Sequence, residues 1–183
     1  MKTSLKPLII AAEFSAIIAI LSQFTIPLGI VPLTGQTFAI GLTATLLGRR
    51  SGTLSVLIYL LLGTIGLPVF AGLSGGLSIV FGPTGGYLIG FIFQAWLTGY
   101  LVEKNVSSYT WVIFANVIGS FVTLIFGVIW LKASGDLSWN TAIVSGFIPF
   151  ILPGIIKAVA AGYLGTVIRH RLPKYFSFEQ PQS

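Results

Sequence analysis

The feature that most limits what this chain can fold into is the length of its uncharged apolar runs. An α-helix crosses the roughly 30 Å hydrocarbon core of a bilayer with about 20 residues, and about 17 suffice. Six stretches read on that scale: 7–24, 34–48, 51–62, 85–102, 109–131 and 147–168. The second and third are short, and Arg49-Arg50 separates them. They predict a helical pair that dips incompletely or crosses where the bilayer is thin. A soluble domain carries roughly a quarter of its residues charged. Here 8% are charged and 55% are hydrophobic, too few polar groups to cover a water-facing surface. The expectation is one all-α membrane domain over residues 1–183, with about six transmembrane helices.

The same scarcity removes whole classes of chemistry. Without cysteine there is no disulfide framework and no thiolate nucleophile or thiolate metal site. Four acids (Glu13, Glu103, Asp136, Glu179) and one histidine (His170) are too few for a metal cage or a Ser-His-Asp arrangement, so neither metal nor cofactor is expected. No G-x-x-x-x-G-K-[ST] loop occurs, so the chain carries no P-loop for ATP. The net charge of +6 fits topology better than nucleic acid. Lys2, Lys6, Arg49, Arg50, Lys104, Arg169, Arg171 and Lys174 fall on one side, and Lys132 falls on the other. The bias predicts that both termini are cytoplasmic. Glu13 interrupts the first apolar run and no A-x-A-type site follows, which favours an uncleaved first helix over a signal peptide. The basic tail suits anionic headgroups, and the end from Glu179 onward is expected to be disordered.

Two outer segments depart from ordinary helix. Residues 63–86 read GTIGLPVFAGLSGGLSIVFGPTGG, with two prolines and no charge. Gly and Pro interrupt regular structure and let backbone approach a ligand. Irregular backbone near membrane depth is tolerated where it is buried in protein or lines a cavity. The segment is therefore expected to form a partly inserted, Gly-rich outer loop that caps a pocket. Phe70 and Phe81 would give apolar walls, and Thr84 with exposed N–H groups would give polar contacts. The competing reading is a connector with a fortuitously apolar composition. At 27–36, PLGIVPLTGQ ends in Thr34 and Gln36. Thr34 could cap the next helix, and the Gln36 carboxamide could donate and accept towards a ligand or bond a neighbouring helix.

Lys157 is the strongest single signal. A charge inside a span is costly and faces the protein interior or a watery cavity. Counted from the outer start of the last span, it lies roughly 10–15 Å below the edge. It could bind an anionic ligand, pair with Glu13, or sit desolvated and neutral. Small residues repeat at helical spacing elsewhere: Gly82, Gly86 and Gly90; Ala115, Gly119, Thr123 and Gly127; Ala12, Ser15, Ala16 and Ala19. Such stripes permit close helix contact. The one in the first span could equally serve a separate membrane protein.

Four motifs together carry a resemblance: PLTGQ at 32–36, GLPVFAG at 66–72, GPTGGYLIGF at 82–91 and PGIIKA at 153–158. Over nearly its whole length the chain resembles the BioY family, the biotin-specific S components of energy-coupling factor (ECF) transporters. That resemblance implies capture of biotin from outside, with a transmembrane coupling protein and two ATPase subunits supplying energy. It also implies that Ala12, Ser15, Ala16 and Ala19 form the docking face for the coupling protein. Matching biotin to the available groups assigns Phe70, Phe81 and Tyr87 to its rings. Gln36, Thr34 and Thr84 would supply hydrogen bonds, and Lys157 the charge. Gly72, Gly75, Gly82 and Gly85 would allow close backbone approach, with Asn116 a further polar candidate. The family often has an aspartate three residues before the lysine; here that position is Gly154. A ligand carboxylate or ureido oxygen then becomes the expected partner of Lys157.

Three other functions compete. An S component for thiamine, riboflavin or niacin would keep the architecture and change only the ligand. A stand-alone channel would need a continuous polar path, which the apolar cytoplasmic halves of the spans do not offer. An intramembrane enzyme would need a poised acid–base pair, and none is visible.

Overall fold

A computed structural model describes residues 5–173 and 175–176. Lys2, Lys174 and the end from Glu179 onward, all used in the reading of charge and tail, lie outside the described residues. The elements run α1 (Leu5–Ser22), β1 (Thr25–Ile26), β2 (Leu33–Thr34), α2 (Gln36–Thr64), α3 (Leu77–Phe81), α4 (Gly85–Lys104), α5 (Tyr109–Ser134), α6 (Trp139–Gly146) and α7 (Ile148–Arg171).

Helix α2 contains both short spans and bends back on itself. Gly48 has φ 75° and ψ −174°, a conformation open to glycine and not to an L side chain. The arms 36–47 and 49–64 run antiparallel. Gln36 Nε2 donates to the Tyr59 hydroxyl at 2.6 Å, and Gly52 lies against the backbone of Ala44. The chain therefore enters and leaves on one face. α1, α4, α5 and the stretch Trp139–Arg171 are each long and apolar enough to cross a membrane. With the two arms of α2 they form a multi-pass membrane protein. Its lipid-facing side chains include Leu5, Leu8, Ile20, Leu61, Ile129 and Ile156, all more than half exposed except Leu8, at 50%.

The reversal at Gly48 is clasped at the cytoplasmic end. Glu103 Oε1 accepts from the Arg49 backbone N–H at 2.8 Å, and its other oxygen lies 3.2 Å from the Arg49 guanidinium. Arg169 from α7 donates to the carbonyls of Thr45 (3.2 Å) and Leu46 (2.8 Å). These carbonyls close the first arm and would otherwise lack helical partners. Glycines then set the helix spacing. Gly86 and Gly90 lie against Trp130 and Thr123 of α5, and Gly162 lies against the backbone of Ile113, approaches that leave no room for a Cβ.

The outer segment forms an ordered cap. α1 ends at Ser22, whose hydroxyl donates to the Val69 carbonyl at 2.6 Å. Gln23 donates to the Phe70 carbonyl at 3.1 Å and accepts from the Leu73 N–H at 2.8 Å. The Gly76 N–H reaches the Gly63 carbonyl at 2.7 Å, and the Trp130 indole donates to the Gly82 carbonyl at 2.9 Å. Non-helical backbone at this depth is thus satisfied by α1, α2 and α5.

Candidate functional site

Beneath the cap lies a cavity of about 240 Å³, reached by the ends of the outer segments and by four helices. Pro32 comes from the β1–β2 turn and Leu33 and Thr34 from β2, and Gln36 and Thr37 open α2. Phe70, Ala71, Ser74 and Ile79 descend from the cap, whereas Thr84, Tyr87, Leu88 and Phe91 belong to the start of α4. Ser120, Thr123 and Leu124 from α5, with Phe150, Gly154 and Lys157 from α7, complete the wall. Its character is apolar and aromatic with a few polar groups, the usual balance for a small-ligand site.

Lys157 is the sole charged side chain among the lining residues. Its Nζ donates to the Thr34 carbonyl at 2.9 Å, which ties α7 to the turn before α2. An ammonium has three donors, so two remain beyond that bond. The alternative partner, Glu13, is exposed and lies beside Lys6 and Leu172 at the cytoplasmic end, so an ion pair with Lys157 is ruled out. The two residues border different cavities, and the Lys157 ammonium is turned to the Thr34 carbonyl instead.

The aromatic walls are held rigidly. Phe70 is 1% exposed and packs edge-on against Tyr59, with ring centroids 5.5 Å apart. Gly63 leaves space for its ring. Tyr87 donates from its hydroxyl to the Gly146 carbonyl at 2.6 Å, and Gly127 makes room for that ring. Phe150 completes the pair, 6.4 Å from Tyr87. Below them, Gln94 donates to the Thr37 carbonyl at 2.9 Å and accepts from the Thr123 hydroxyl at 2.9 Å. This buried amide fixes α2, α4 and α5 under the cavity.

The structure brings Thr34, Gln36, Phe70, Thr84, Tyr87 and Lys157 to one cavity. The carboxamide of Gln36 is engaged within the protein: Oε1 accepts from Thr34 at 2.8 Å, and Nε2 meets Tyr59. Six candidates do not line the wall. Phe81 is 68% exposed, because the single turn of α3 directs it away from the core. Gly72 serves the tight 70–74 turn with φ 68°, and Gly75 packs on the Leu67 and Gly63 carbonyls. Gly82 and Gly85 seat Trp130. Asn116 is a strut whose Nδ2 donates to Thr45 at 2.9 Å and to the Val112 carbonyl at 3.0 Å. The small stripe of α1 divides as well: Ala12 and Ala16 are exposed, Ser15 is buried and Ala19 packs on the core.

Sequence reading missed Phe91, Phe150, Ser120 and Thr123 as wall residues. Thr123 stood in a recognised small-residue stripe, and Phe91 closes a recognised motif. Those signals mark a packed face without saying what space it borders.

Comparison with known proteins agrees with this architecture. A sequence model of the BioY family matches residues 1–174. The biotin transporter BioY2 of Lactococcus lactis subsp. cremoris is 39% identical over 178 residues, covering 96% of this chain and 98% of that protein. The biotin transporter BioY of Thermotoga maritima is 42% identical over 161 residues, covering 87% and 94%. The crystal structure at 2.1 Å of the S-component for biotin from an ECF-type ABC transporter superposes with a TM-score of 0.86. That match has 31% identity and covers 94% of this chain and 96% of the other. With the family match over nearly the full length, and relatives of this similarity along both chains, this protein belongs to the BioY family.

Proposed function

We propose that this chain is the high-affinity biotin-binding membrane subunit, or S component, of an ECF-type ABC transporter. The observation that carries the reading is the capped outer cavity, walled by aromatic rings and holding one cation, Lys157. Its volume of about 240 Å³ suits a vitamin-sized molecule, just below the roughly 300–1,000 Å³ usual for ligand sites. Biotin offers an apolar bicycle to Phe70, Tyr87, Phe91 and Phe150. Its valerate carboxylate is the natural counter-charge for Lys157, because no acid lines the cavity. Thr34 and Thr84 supply further polar contacts. The ligand is moved without covalent change, so no catalytic group is assigned.

In this reading a transmembrane coupling protein and two ATPase subunits drive the cycle. The exposed small residues of α1, Ala12 and Ala16, let a partner helix approach closely. Uptake by proteoliposomes is the test. Biotin accumulates only when the coupling protein, both ATPases and ATP are present with this chain. Accumulation by the chain alone, down a gradient and independent of ATP, would instead identify a facilitator.

A further inference from the structure

The part of the cap that borders the cavity is a strained turn. Phe70, Ala71 and Ser74 line the cavity, and the chain reverses between them. The Phe70 N–H closes the turn on the Ser74 carbonyl at 2.9 Å. To make the reversal, Gly72 and Leu73 both take positive φ, 68° and 55°. Glycine does so freely, whereas in leucine the Cβ crowds the following carbonyl oxygen. Such a conformation persists only where its surroundings hold it. The Leu73 side chain is 70% exposed and contributes little to that hold. Its N–H contributes more, donating to Gln23 Oε1 at 2.8 Å.

Gln23 follows the last residue of α1 and is absent from the cavity wall. Its Nε2 donates to the Phe70 carbonyl at 3.1 Å, so one carboxamide grips the turn at two residues. The same Nε2 lies 2.7 Å from the Ser22 hydroxyl, which steadies the amide. Only a group that both donates and accepts can serve the two backbone sites together.

We propose that Gln23 is a positioning residue for the ligand site: from outside the wall it holds the 70–74 turn in its strained form, and with it Phe70, Ala71 and Ser74 against the ligand. This rests on the biotin-binding reading above and names what keeps the cap side of the site in shape. Affinity then scales with the fraction of molecules whose turn is formed. Loss of the two amide contacts lowers that fraction, and relief of the strain at residue 73 restores it. Leu73→Gly alone changes little, because the turn is already formed when Gln23 is present.

The test is a double-mutant cycle on the full chain in detergent: unaltered, Gln23→Leu, Leu73→Gly and both together. Each is titrated with biotin by calorimetry, and each is followed without ligand by hydrogen exchange. Leucine keeps the volume of Gln23 and removes both hydrogen-bonding groups. Binding about 30-fold weaker is expected in Gln23→Leu, the worth of two hydrogen bonds. The double variant should recover about tenfold, and Leu73→Gly alone should bind within about threefold of the unaltered chain. Protection of residues 69–76 should fall in Gln23→Leu and return in the double variant, with α4 and α5 unchanged. A residue that served only the stability of the bundle would weaken protection throughout and gain nothing from glycine at 73. Affinity in Gln23→Leu within about twofold of the unaltered chain, or a loss that Leu73→Gly does not relieve, overturns the proposal. Gln23→Ala takes the place of a leucine variant that does not fold; if neither folds, Gln23 supports the whole bundle and the proposal falls. Failure of the unaltered chain to bind biotin refutes the functional reading, and the exchange measurement then decides by itself whether Gln23 holds the turn.

Discussion

Replacing Lys157 by methionine removes the cavity's one cation and keeps a flexible stem of similar length. Two consequences have opposite signs. In the ligand-free protein, Lys157 makes a single hydrogen bond, to the Thr34 carbonyl, worth about 1.5–3 kcal/mol for a charged donor. Against that loss stands relief of the cost of holding a charge away from water, which often makes apolar replacement neutral or stabilising. The variant should therefore fold with a melting temperature close to that of the unaltered chain. In the complex the balance changes, because the ligand carboxylate would be left buried and unpaired. Truncating one partner of a buried charge pair costs about 2–5 kcal/mol, or roughly 30- to 4,000-fold in affinity at about 1.4 kcal/mol per decade. The discriminating assay is a cycle of two proteins and two ligands, Lys157 or Lys157→Met against biotin or biotinamide. The unaltered chain should prefer biotin strongly, and the variant should lose most of that preference. Equal loss of both ligands in the variant would refute the carboxylate assignment, and unchanged biotin affinity would remove Lys157 from the site.

Three further outcomes follow from the fold. Ala16→Trp fills an exposed small position on α1; it should abolish ATP-driven uptake in the reconstituted transporter yet leave biotin affinity within twofold. Ser15→Trp, at a buried position of the same helix, should lower the melting temperature instead. Arg169→Met strips two charged hydrogen bonds from the carbonyls that end the first arm of α2. It should cost about 2–4 kcal/mol, seen as a lower denaturation midpoint in detergent.

The spans were legible because apolar length is a property of consecutive residues. The expected 85–102, 109–131 and 147–168 became α4, α5 and α7, each within three residues at both ends. The short pair at 34–48 and 51–62 became the two arms of α2, with Gly48 and the Arg49-Arg50 pair at the reversal. Eight-residue α6 escaped because it is too short to register as a span, although Ser138 caps it by accepting from the Thr141 N–H. Of the site, Lys157 was legible through the cost of its burial, and the cap through its glycines and prolines. What those glycines do was not. Gly72 serves a turn, Gly82 receives an indole and Gly154 lines the cavity, and composition is identical for all three. Phe81 and Asn116 failed for the same reason: membership of an apolar segment or a span does not fix which way a side chain points or how deep it lies. Ser15 and Ala16 are adjacent and equally small, yet they fall on opposite sides of the line between bundle and lipid.

The central claim is that this chain binds biotin by itself, before any energy is applied. Calorimetric titration of the detergent-purified chain with biotin, with thiamine and riboflavin as controls, tests it directly. Tight one-to-one binding of biotin, with no heat from the other two vitamins, is the predicted result. A folded protein that ignores biotin, or that binds thiamine or riboflavin in its place, would contradict the account.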